Sequence, residues 1–193
     1  MSKPAFLVEG QMEQKIIQAI CPGIVVRRIN CNGIDVSMRA IAKTLDANMR
    51  LLKNYYPIFI VFDREGREQS CEKLMAELSE ILNAKDYAGT YRIGIADRTI
   101  ENWILADWRH ALELFDGDDE DSTNHDGENG KSRLKKMLPK GIVYNETTIG
   151  VDLFRKCRPS EMYANSSSFR KFVDTIDIKC WWLKSVQKSP ELI

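Results

Sequence analysis

Short apolar runs, each followed by a stretch with helical spacing, fill the first half of the chain and restrict its fold more than any other feature. Ala5-Phe6-Leu7-Val8 stops at Glu9-Gly10, and a helical stretch, Met12–Ile20, follows and ends at Pro22-Gly23. Ile24–Ile29 is the second strand candidate. Val36–Tyr55 then repeats apolar residues at helical spacing through Met38, Ile41, Leu45, Met49 and Leu52. Pro57–Phe62 is apolar up to Asp63, Cys71–Leu82 sets Leu74, Leu78 and Leu82 on one helical face, and Tyr91–Ala96 leads into a helix over Ile100–Leu114. A strand without polar alternation is covered on both faces, and parallel neighbours need long, usually helical, connections. The sequence therefore predicts an α/β fold: a mostly parallel sheet of about four strands with helices on both faces.

That core is expected over residues 1–112, followed by an acidic flexible loop over 113–130 and a basic, mainly helical extension over 131–193 packed on the core. Charge follows the same division. Residues 1–112 carry 15 basic and 14 acidic side chains, residues 113–130 carry 8 acidic and none basic, and residues 131–193 carry 13 basic and 6 acidic, so a net charge of zero conceals a C-terminal part at +7. Such a part suits a polyanion such as nucleic acid, and scattered solvated charge accounts for it equally well. In the extension, Lys131–Met137, Val151–Cys157 and Ser168–Ile176 have helical spacing, the last introduced by Ser166-Ser167-Ser168 as capping residues.

No apolar run approaches the ~20 residues of a membrane span. The opening MSKPAFLVEG lacks the apolar stretch of a signal peptide, so a cytoplasmic protein is expected. The 5 cysteines are odd in number and widely spaced, which argues against a disulfide framework or a zinc ribbon. With only His110 and His125 available, any metal site would rely on oxygen ligands, which points to Mg²⁺ or Mn²⁺.

In a parallel sheet the strand ends are where side chains leave the core and meet ligands. Here they release acids: Glu9 after the first strand, Asp63 with Glu65 after the third, and Asp97 after the fourth. Glu13 and Glu101 lie four residues beyond Glu9 and Asp97, and an extended Asp63-Arg64-Glu65 would point both its acids the same way. Gathered carboxylates repel unless a cation sits among them. Three such pairs suffice for two metal ions about 4 Å apart, the arrangement used in phosphoryl transfer.

Phe6-Leu7-Val8-Glu9-Gly10 resembles the first Toprim motif, and Val61-Phe62-Asp63-Arg64-Glu65 resembles the second, with glutamate in place of the final aspartate. Glu9-x-x-x-Glu13 is similar to the two-metal branch formed by OLD (overcoming lysogenization defect) nucleases. Asp97-Arg98-Thr99-Ile100-Glu101-Asn102-Trp103-Ile104-Leu105-Ala106-Asp107 and Ser168-Phe169-Arg170-Lys171-Phe172 resemble segments of small stand-alone Toprim proteins of bacterial defence systems and mobile elements. The resemblance implies a metal-dependent nuclease with Glu9, Asp63 and Glu65 as catalytic acids and Glu13, Asp97 and Glu101 completing two sites for Mg²⁺ or Mn²⁺. It also implies a lysine beside the scissile phosphate, for which Lys140, Lys156 and Lys171 are all open, while the place after Tyr144 holds Asn145-Glu146. A separately encoded ATPase as partner, and a role as the effector of phage defence, follow from the resemblance alone.

Arg64, Arg67, Arg170 and Lys171 are candidate nucleic-acid contacts, and neutralising neighbours or surface charge account for them as readily. Trp103, Trp108, Trp181 and Trp182 are candidate base-stacking residues, although Trp103 has the spacing of a core residue. Two other readings stay open: a non-catalytic Toprim module that binds metal or a partner, and an α/β phosphate-handling enzyme. The second is weakened by the single acid at the end of the first strand.

Overall fold

The computed structural model of the chain describes residues 3–31, 33, 36–115 and 124–187. Strands β1 (Ala5–Val8), β2 (Val25–Arg28), β3 (Ile58–Asp63) and β4 (Tyr91–Ala96) form one all-parallel sheet in the order β2-β1-β3-β4. The connections are helical, through α1 (Gln11–Ile20), α2 (Met38–Leu51) and α3 (Cys71–Asn83). The fold is α/β, as the patterning predicts.

The strand order reverses at β1. The first crossover moves outward to β2, and the second returns past β1 to β3. Because such crossovers are right-handed, this reversal puts α1 on one face and α2 and α3 on the other. The two buried clusters record that split. Phe6, Val8, Phe59 and Val61 pack with Met12, Ile16 and Ile20 of α1. Leu7, Ile60 and Phe62 pack with Leu45 of α2 and Leu74 and Leu78 of α3. The fork between β1 and β3 is the point at which a ligand crevice is expected in such a sheet.

The remaining described helices cover the α1 face. They comprise α4 (Glu101–Leu105), α5 (Trp108–Leu112), α6 (Gly130–Met137), α7 (Val151–Lys156), α8 (Pro159–Asn165) and α9 (Ser167–Thr175). Leu134, Phe154, Phe169 and Phe172 belong to the same buried cluster as β1 and α1, so these helices complete the core. Trp103 is core: its ring stacks on Phe172 at 5.1 Å, and its indole N–H donates to Ser168 Oγ at 2.8 Å. Gly94 lets Phe172 approach β4, since a Cβ there would collide with Phe172 Cδ2.

Several elements differ from expectation. The helix expected over Ile100–Leu114 breaks at Asp107, which leaves helical geometry with φ −131° and ψ 47°. Its fully buried carboxylate accepts from the Arg158 backbone N–H at 2.6 Å and the Arg158 guanidinium at 3.2 Å, interactions that an unbroken helix would not aim. Helix α8 begins at Pro159, whose fixed φ suits a first turn. Cys21 and Cys180 form a disulfide across 159 residues, against the expectation from spacing, while Cys31, Cys71 and Cys157 are free. Of the acidic stretch expected to be flexible, residues 116–123 lie outside the described part. The portion from Asn124 to Gly130 is pinned: Asn102 donates to the carbonyls of His125 and Glu128, and Asp126 accepts from the Ser168 N–H at 2.9 Å. No described helix is long and apolar enough to cross a membrane.

Candidate functional site

Glu9 stands where β1 and β3 diverge. Its backbone prolongs both ladders, with N–H to Val61 O at 3.2 Å and its carbonyl accepting from Asn30 N–H at 3.1 Å. Its side chain closes the fork: Oε2 accepts the Asp63 N–H at 2.8 Å. The other oxygen, Oε1, is buried and accepts no hydrogen bond among the described residues. Burial pushes the Glu9 carboxyl up to about 7; the Asp63 N–H opposes this, and repulsion from Glu13 and Glu65 adds to it.

Gly10 opens α1 in extended geometry, and its N–H donates to Glu13 Oε2 at 2.9 Å, so a helix-capping contact turns Glu13 back toward the cleft. A Cβ at residue 10 would lie 2.9 Å from that oxygen, which is why glycine suits the position. Burial raises the Glu13 carboxyl, and the charges of Glu101 and Glu146 raise it further. Asp63 is held well above the usual carboxylate range, first by burial and then by Glu13, Glu9, Glu101 and Glu65.

Glu65 reaches the cleft by a different route from the expected extended segment. Strand β3 ends at Asp63, and Glu65 adopts φ +58°, a left-handed conformation that costs a non-glycine residue about 1–2 kcal/mol. Its N–H donates to Arg98 O at 2.7 Å, which ties the loop after β3 to the loop after β4 and holds the conformation in place. Glu101, buried at the start of α4, accepts the Tyr144 hydroxyl at 2.9 Å, and burial raises its carboxyl. Burial and the Glu101 charge likewise raise the Tyr144 phenol.

Five of the six expected metal-binding acids, Glu9, Glu13, Asp63, Glu65 and Glu101, therefore line one polar cleft of about 270 Å³. Asp97 does not. It pairs with Arg64 at 2.6 Å and lines a separate groove between α3 and α9, a correction to its expected place. The four basic residues expected at nucleic acid also lie outside the cleft. Arg67 is buried and donates to the carbonyls of Asp63, Arg64, Gly33 and Val36, which makes it a clasp between loops. Arg170 bonds the carbonyls of Tyr163 and Ala164, and Lys171 pairs with Glu72.

Two charged cleft residues, Glu146 and Lys131, are not among those expected from sequence, and they form an ion pair with each other. Burial would depress the Lys131 ammonium, but Glu146 with Glu101 and Glu65 outweighs it and holds the group above its ordinary value. Of the lysines weighed from sequence, none lines the cleft. The only available signal was indirect: Asn145-Glu146 follows Tyr144 where a lysine was expected, and the cation arrives from α6 instead.

In kind, the donors are those a hard divalent ion takes: side-chain oxygens only, from five mutually repelling acids beside the Lys131–Glu146 pair, one of them a buried carboxylate oxygen that accepts no hydrogen bond among the described residues. As the side chains stand, no three of the described acidic, imidazole or thiol groups form a set that could hold a metal. Glu9, Glu13 and Glu101 each spend one oxygen on an internal hydrogen bond, so ligation would call on the remaining oxygens or on a side-chain rotation.

Comparison with known families matches residues 8–177, from the end of β1 to just past α9, with the family described as a domain of unknown function (DUF4276). The chain belongs to that family. In this DUF4276 protein the matched span contains every residue lining the acid cleft and excludes Cys180 and Trp181. No curated protein matches the chain. No solved structure matches it either.

Proposed function

We propose that this chain is a divalent-metal-dependent nuclease that hydrolyses phosphodiester bonds of DNA or RNA, with the acid cleft as a Toprim-type site for Mg²⁺ or Mn²⁺. The observation that carries the reading is the gathering of Glu9, Glu13, Asp63, Glu65 and Glu101 at the sheet's switch point around an unpartnered, buried Glu9 oxygen. Glu9, Asp63 and Glu65 would hold the first ion, and Glu13 and Glu101 have oxygens to offer a second. Bound there, such ions lower the pKa of a water and offset charge on the leaving oxygen. Lys131, 42% exposed, is positioned to turn from Glu146 to a phosphate entering the cleft. Nucleic acid is the proposed substrate and the cytosol the proposed setting; an ATPase partner and a part in phage defence rest on motif resemblance alone.

The test is incubation of the purified chain with plasmid and with total tRNA in Mg²⁺ or Mn²⁺, beside Glu9→Gln and Asp63→Asn variants. Cleavage by the wild type that both variants lose supports the reading. Equal cleavage by the variants would sink it. A second reading is a non-catalytic module that binds a metal or a partner, and it suits acids of which Glu9, Glu13 and Glu101 each already spend an oxygen on an internal hydrogen bond. Mn²⁺-dependent thermal stabilisation that Glu9→Gln abolishes, with no cleavage of either substrate, would establish that reading instead.

A further inference from the structure

Trp181 is 63% exposed, whereas its neighbours Cys180, Trp182 and Leu183 are all buried. The anchoring is extensive. Cys180 is disulfide-bonded to Cys21 at the end of α1, and Trp182 stacks on Phe154 at 5.1 Å. The backbone on either side of the exposed indole is thus fixed, so binding on that ring costs little backbone ordering. It borders a groove of about 350 Å³ shared with Arg155, Lys156 and Leu114. Asp152, the one acid in that lining, lies 3.8 Å from Arg155 with both side chains more than half exposed, a pair worth little. Lys156 makes no ion pair among the described residues, and Lys179 and Lys184, flanking the anchored turn, are exposed.

This corner communicates with the acid cleft through two elements. Helix α1 starts at the cleft, beside Glu13, and ends beneath the groove at Ala19 and Ile20, a span of about 15 Å at the helical rise. Helix α7 carries Arg155 and Lys156 and follows directly on the turn whose Glu146 and Thr147 line the cleft. Lys15 stitches the two together by donating to Thr147 O at 2.8 Å.

We propose that Trp181, Arg155 and Lys156 form an accessory subsite for single-stranded nucleic acid, in which a base stacks on the indole and the two cations meet the flanking phosphates. An aromatic platform beside basic side chains is the usual construction for sequence-tolerant single-strand binding. Its position makes it the holding point for a strand whose continuation passes along α1 into the acid cleft. As an element of catalysis it rests on the nuclease reading; as a binding surface it does not.

The experiment is fluorescence anisotropy with labelled oligothymidylate and oligouridylate in EDTA, so that no cleavage enters the measurement. Trp181→Ala should weaken binding by about 5- to 100-fold and Trp181→Phe should restore most of it. Arg155→Ala with Lys156→Ala should flatten the salt dependence by about 1.4 in log–log slope. Unchanged melting temperatures would confirm that these surface variants fold. Equal affinity of Trp181→Ala and wild type overturns the proposal, as does a wild type that binds neither oligonucleotide or that prefers duplex through residues other than Trp181. Binding that depends on Trp181 in a chain that cleaves nothing would support the subsite and refute the nuclease.

Discussion

Glu9→Gln is expected to remove a pH dependence of stability that the acid cleft builds into the metal-free protein. In the folded chain the Glu9 carboxyl titrates at about 7, against 4.5 for an ordinary glutamate. Between those values the native state keeps a proton that the unfolded chain releases, so raising the pH favours unfolding. At about 1.4 kcal/mol per pH unit across that window, the wild type loses about 3 kcal/mol through this group alone. The benefit is fully present below pH 4.5 and gone above about 7. Asp63, Glu13 and Glu101 are raised in the same direction and steepen the wild-type curve, so the diagnostic quantity is the difference between the two proteins. Glutamine retains an oxygen for the Asp63 N–H and carries no charge at any pH. In EDTA at pH 8 the variant should therefore melt about 6–12 °C above the wild type, and the gap should close toward pH 4.5. Differential scanning calorimetry across this range, with urea titration as a second measure, reads the effect directly. Saturating Mn²⁺ at about 100 times its Kd should return about 2.7 kcal/mol to the wild type and little to the variant. Parallel curves for the two proteins, or a wild type that gains stability as the pH rises through the window, would refute the reasoning.

Other expectations follow from single contacts. Lys131→Met should leave Mn²⁺ stabilisation in place while lowering cleavage about 100-fold, if the lysine meets the scissile phosphate; cleavage rates and melting curves on the same preparation separate the two effects. Gly94→Ala should destabilise by about 1–3 kcal/mol in urea titration, because the added methyl collides with the Phe172 ring at the contact between β4 and α9. Cys180→Ser should lower stability by about 2–5 kcal/mol, and a reductant should lower the wild type by a similar amount while leaving the variant unmoved.

The parts of the fold legible in the sequence are those governed by local patterning. Continuous apolar runs marked β1 and β3; β2 ends in Arg27-Arg28 and β4 carries Arg92, yet β4 begins and ends at the residues the pattern gives. That Glu9, Asp63 and Glu101 would come together in one cleft was legible because strand termini and the helix starts after them have one direction in a parallel sheet. What the sequence did not disclose depends on partners far along the chain. Asp97 sits at a strand end like the others, but Arg64, 33 residues earlier, draws it out of the cleft. Glu65 enters through a left-handed turn, stabilised by the Arg98 carbonyl, that no spacing rule anticipates. Lys131 and Glu146 meet only because α6, packed against α4, and the turn before α7, packed against α1, converge on the cleft. Asp107 reads as the middle of a helix over Ile100–Leu114, and the break there is matched to Arg158, 51 residues later.

The double use of Glu9 has a consequence for how this site is kept in order. One oxygen substitutes for a missing rung between two diverging strands, so the orientation of the carboxylate is inherited from the sheet and does not wait for a ligand. The other oxygen, buried and without a hydrogen bond among the described residues, is thereby fixed in advance, so that an ion bound as proposed would spend little of its binding free energy on arranging it. The same coupling limits which substitutions the position can tolerate, because a residue that relinquishes the charge must still accept the Asp63 N–H to mend the seam between β1 and β3.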